Sequence, residues 1–140
     1  MRRYPGIPPT GSYPPDPVIA AGPNQIVAAV NREIRIFSKA GELLQTIDAA
    51  AWFDAVAPGC TPYDPRILFD HFSNRFIMLW HHFSMLPDVS SYLLSVSASE
   101  DPTGLWTSWA LPAYGVGPAN TGTWADNGCL GFDSNAVYIV

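Results

Sequence analysis

DPVIAAGPNQIVAAV, residues 16–30, holds two short apolar runs separated by Gly22, Pro23 and Asn24, which is turn chemistry between strands. IRIFSK (34–39) and ELLQTI (42–47) follow after NRE and AG, so the segment reads as four strands joined by tight turns, a meander. Ile34 and Ile36 alternate with Glu33 and Arg35, the period of a half-buried strand. IVAAV carries no charge and reads as covered on both faces.

The same order returns further along. After Asp48, placed as an N-cap, AAAWFDAV reads as a short helical connector. DPRILFD, the turn HFSN, RFIMLWHHF, a loop SMLPDVS, SYLLSVS, the turn ASEDPTG and LWTSWAL then form a second meander. DNGCLGFDSNAVYIV (126–140) repeats the first hairpin once more. Asp16, Asp64 and Asp126 lead the three copies, each followed about six residues later by a Gly or Asp that opens a turn. Four-stranded repeats of about 40–50 residues mark a β-propeller.

The expected fold is therefore all-β, a β-propeller fragment of about two and a half four-stranded blades. A complete β-sandwich is the alternative. Residues 1–15, with five prolines, read as an extended lead-in; blades are expected at 16–48 and 64–111, a connector at 49–63, a loop at 112–125 and a half-blade at 126–140. Sheet edges and faces left open by such a fragment predict self-association.

Composition agrees with the fold class. The 140 residues are 48% hydrophobic and 13% aromatic but only 14% charged, and 14 Pro and 11 Gly supply the punctuation of a turn-rich β protein. The formal charge is -5, and Lys39 is the only lysine among seven basic residues, so no basic stripe exists to neutralise nucleic-acid phosphates. No run approaches the roughly 20 apolar residues of a membrane span. MRRYPGIPPTGSYPPDP has the positive charge of a signal peptide without its apolar core.

SASEDPTGLW, with Ser99, Asp101, Gly104 and Trp106, resembles the Asp-box of sialidase-like propellers, Ser-x-Asp-x-Gly-x-x-Trp, with the glycine one place late. In that family the box is a folding device on the turn between a blade's third and fourth strands. PPDPVIAAGPNQIVAAVN, IRIFSKAGELL and DPRILFDHFSNRFI are similar to a group of secreted bacterial propeller proteins with no general assigned chemistry; Cys129 departs from their pattern. The resemblance implies an extracellular or surface-exposed scaffold that binds a carbohydrate or protein ligand. The alternative is a sialidase-like glycoside hydrolase whose catalytic residues lie mostly beyond Val140.

Candidate residues divide between binding and scaffold. Asp16, Asp64 and Asp126 begin equivalent strands, where a ring of carboxylates can hold calcium; two of them precede proline, as turn residues often do, which favours turn formers. Arg66, beside Asp64, is the arginine placed to hold a sugar carboxylate, and Trp124 is the tryptophan placed to be exposed. His81 and His82 are adjacent on a strand and point to opposite faces, which argues against a shared metal. Trp106 and Trp109, three apart, also face opposite sides. Cys60 and Cys129 can form one disulfide between neighbouring blades or remain two thiols. No G-x-S-x-G elbow, P-loop or H-E-x-x-H sequence is present, and no catalytic residue is assigned.

Overall fold

The computed structural model describes residues 5–85, 88–113 and 124–140. The chain is all-β, built of antiparallel sheets, and among the described residues none of them closes on itself. The first sheet is the meander β1 (Val18–Ala21), β2 (Gln25–Val30), β3 (Glu33–Ser38) and β4 (Leu43–Asp48). A short helix, α1 (Ala49–Phe53), leads to the second meander, β5 (Tyr63–Asp70), β6 (Arg75–Met85), β7 (Asp88–Ser97) and β8 (Trp106–Pro112). β9 (Leu130–Phe132) and β10 (Val137–Ile139) form a two-stranded hairpin.

Local chemistry explains each boundary. Asp48 caps α1, its Oδ1 accepting the Ala51 N–H at 2.9 Å. At the β5–β6 turn Asp70 Oδ1 accepts the Phe72 N–H at 2.8 Å; at the β9–β10 turn Asp133 Oδ1 accepts the N–H groups of Asn135 and Ala136 at 2.7 and 3.0 Å. The expected loop at SMLPDVS is shorter than the sequence pattern indicates: β6 and β7 pair on through Phe83 with Ser90 and Ser84 with Val89. Backbone pairing there does not require apolar alternation. The expected loop at 112–125 lies largely outside the described residues.

The sheets stack through their first strands. β1 and β2 pack on β5, and β5 in turn meets β9. Val27, Ala29, Ile34 and Ile36 from the first sheet bury with Phe53, Ile67, Phe76, Met78 and Trp80 in one cluster. Full burial of side chains such as Phe76 and Met78 is worth about 2–3 kcal/mol each. In β6 every residue from Phe76 to Trp80 is buried, as expected of a central strand covered on both faces. Gly22 lies tight against the second sheet: a Cβ there would stand 2.6 Å from Phe76 Cζ.

Residues 5–15 contain no strand but lie against the first sheet. Arg35 Nη1 donates to the Gly6 carbonyl at 3.0 Å, and Thr10 Oγ1 donates to the Asn31 carbonyl at 2.9 Å. Among the described residues no helix is long and apolar enough to cross a membrane.

Candidate functional site

Three strand starts converge where β5 meets the first sheet and the third hairpin. The backbone at Asp16, Asp64 and Asn127 is left-handed, with φ of 47°, 50° and 48°. Among non-glycine residues Asp and Asn tolerate this conformation best, because their short side chains hydrogen bond locally. The third leader is thus Asn127, and the expected equivalence of Asp126 is off by one residue. Spacing carried the signal: Gly22, Asp70 and Asp133 each follow these three positions by six residues.

The Asp64 carboxyl lies near that of Asp16. Burial first, and then the charge of Asp16, hold the Asp64 carboxyl above the usual carboxylate range. Among the described residues no group of three or more His, Cys, Asp or Glu side chains is arranged to hold a metal ion.

Asn31 and His81 join these starts into one network. Asn31 is 8% exposed. Its Nδ2 donates to Asp16 Oδ2 at 2.6 Å and to the Pro14 carbonyl at 3.0 Å, while its Oδ1 accepts the Asp64 N–H at 2.8 Å. His81 is fully buried. Its Nε2 accepts the Gly128 N–H at 3.0 Å, so the ring proton sits on Nδ1, which donates to the Asp64 carbonyl at 3.2 Å. Each residue stands just past the apolar run of its sheet's second strand and reaches the beginning of the next hairpin. Sequence reasoning missed both in this role; the available signal was a lone polar residue continuing the faces of Val27 and Ala29, and of Ile77 and Leu79.

Aromatic rings close the site around His81. Tyr63 stacks on its ring with centroids 5.7 Å apart, and Tyr92 meets it edge-on at 5.4 Å. The Tyr63 hydroxyl donates to the Ala125 carbonyl at 2.8 Å. Burial, then the charges of Asp126 and Asp64, push its pKa up to about 12. Ser90 Oγ accepts the Ala125 N–H at 2.8 Å, which fastens the segment leading to Asn127 onto the second sheet.

Arg66 donates through Nη1 to the Pro65 carbonyl at 2.9 Å and through Nη2 to Asn127 Oδ1, so its guanidinium ties hairpin to hairpin. His82 lies apart from His81, its Nδ1 accepting the Thr61 N–H at 3.2 Å. Asp126 is exposed, and Trp124 is 51% exposed with its ring against Phe83 at 5.2 Å. Cys60 is buried, Cys129 is exposed, and both are free thiols.

The turn joining β7 to β8 is built by the residues of SASEDPTGLW. Asp101 Oδ1 accepts the N–H and the hydroxyl of Thr103 at 2.9 and 2.7 Å. Ser99 Oγ accepts the Asp101 N–H at 3.3 Å, and Trp106 Nε1 donates to the Pro102 carbonyl at 2.8 Å. The Trp106 ring meets Trp52 edge-on at 5.4 Å, whereas Trp109 is 42% exposed. Comparison of the chain with protein-family models, with curated proteins and with solved structures finds no match.

Proposed function

We propose that the two meanders and the third hairpin are successive blades of a β-propeller acting as an extracellular binding scaffold. The observation that carries this reading is the repeated handover. Asn31 of the first sheet takes the Asp64 N–H of the second, and His81 of the second takes the Gly128 N–H of the third hairpin. A relation repeated in one direction builds a ring, whereas a sandwich needs only one face-to-face contact between two sheets. The turn resembling an Asp-box joins a third strand to a fourth, its position in sialidase-like blades.

Binding rather than chemistry fits the side chains. Arg66 is engaged by Asn127, and Asp16 accepts a hydrogen bond from Asn31. The ligand, a carbohydrate or a protein, meets the rim around Asp126 and the half-exposed Trp124, whose indole offers a stacking face. Probing a glycan array and a sialoside hydrolysis panel with the chain and with Trp124→Ala tests this. Binding that Trp124→Ala weakens, without sugar release, is expected; turnover of a sialoside would replace the scaffold with the hydrolase.

A propeller segment also leaves sheet surfaces for a further blade. Val137 and Tyr138 on β10 are 37% and 50% exposed. Self-association through such edges is expected in light scattering. A compact monomer would favour the sandwich.

A further inference from the structure

His81 and Asn31 occupy corresponding places and each accepts a backbone N–H at the start of the next hairpin, but only the imidazole can take up a proton near neutral pH. Nε2 is committed as an acceptor for the Gly128 N–H, so a proton on Nε2 sets two donors against each other. The fit has no slack: a Cβ on Gly128 would stand 2.6 Å from Nε2 and 3.1 Å from the Val140 carbonyl. That carbonyl accepts the Cys129 N–H at 2.8 Å and so closes the hairpin. We propose that His81 is a proton-operated clasp, which holds the β9–β10 hairpin on the second sheet when neutral and releases it when protonated.

The surroundings of His81 set the direction. On β5, Asp64 favours the charged ring and Arg66 opposes it, while Tyr63 stacks on it; on β7 Tyr92 meets its edge. Asp126 and Asp16 stand behind, near Tyr63 and Asp64 respectively. Burial dominates and holds the imidazole below its ordinary 6.5. A depressed histidine contributes stability that is present above that ordinary value and is lost as pH falls through the folded value. Asp64 has the opposite sign: its raised pKa contributes stability lost as pH rises, so it cannot imitate an acid release.

The test is regional hydrogen exchange by mass spectrometry on the whole 140-residue chain between about pH 7 and pH 4.5, read as protection corrected for the intrinsic rate. As pH falls from the ordinary imidazole value of 6.5 towards the lower folded value, protection of residues 127–140 is expected to fall up to about tenfold per pH unit relative to β2 and β3, and to level off below the folded value. His81→Gln keeps a neutral acceptor and is expected to flatten that slope. Uniform loss across all sheets, no loss, or an unchanged slope in His81→Gln would each overturn the clasp. Should His81→Gln not fold, the wild-type ratio of third-hairpin to first-sheet protection decides, together with the ring titration of His81 by NMR. Release that does not track that titration refutes the proposal.

Discussion

Replacing Asn31 by alanine removes a buried polar link between the first two sheets. Its Nδ2 bond to the Asp16 carboxylate, at 2.6 Å, is of the charge-assisted kind worth about 1.5–3 kcal/mol. The Asp64 N–H loses its acceptor and, left unpaired, costs about 1–3 kcal/mol; the Pro14 carbonyl loses a donor worth about 1 kcal/mol. These contributions share one side chain and do not simply add, so the expected loss is about 3–5 kcal/mol. That is a large part of the roughly 5–15 kcal/mol that holds a domain folded. Urea unfolding followed by tryptophan fluorescence measures it, and at about 2 kcal/mol per molar the midpoint should fall by about 2 M. Asn31→Asp keeps an acceptor for the Asp64 N–H but sets a carboxylate oxygen where Nδ2 lies 2.6 Å from Asp16. It should be as damaging at neutral pH and recover on acidification, when one carboxyl takes a proton. A loss below about 1 kcal/mol for Asn31→Ala, or a pH-insensitive Asn31→Asp, would refute the role assigned to this network.

Other positions test the packing and the turns. Gly22→Ala drives a Cβ to 2.6 Å from Phe76 Cζ and should cost about 1–3 kcal/mol; Phe76→Leu should relieve part of it, so additive losses in the double mutant would contradict the close approach. Ser97, fully buried, accepts the Phe76 N–H at 2.8 Å; Ser97→Ala should cost about 1–3 kcal/mol in chemical unfolding, more than any exposed serine. Tyr63, with its pKa pushed up to about 12 from 10.0, contributes stability that is present below pH 10 and lost as pH rises through about 12. Ultraviolet titration should find a late tyrosinate that disappears in Tyr63→Phe, and an unchanged curve would refute the burial of that hydroxyl.

The strands were legible because their signals are local. Alternation in EIRIFS, the unbroken apolar run FIMLW and turn residues at GPN, HFSN and DSN depend on neighbours in sequence, and β2, β3 and β6 lie where they indicate. The Asp48 cap is equally local, as is the opposite facing of His81 and His82. Asp101 also acts within its own turn.

What escaped the sequence is everything that depends on one sheet meeting another. Asn31 reads as a turn residue and His81 as one of two adjacent histidines until β5 and the third hairpin bring backbone N–H groups to them. Arg66, expected to face a ligand, is held by Asn127 once β9 packs on β5. The shift from Asp126 to Asn127 has the same origin: composition favours the acid, whereas the left-handed backbone accepts either residue and the hairpin's register chooses. Strand identity and turn chemistry were therefore determined by the sequence alone, through short-range sterics and the two-residue period. The partners of the buried polar groups were decided only by the tertiary structure, because a hydrogen bond between sheets depends on a register that no single strand encodes.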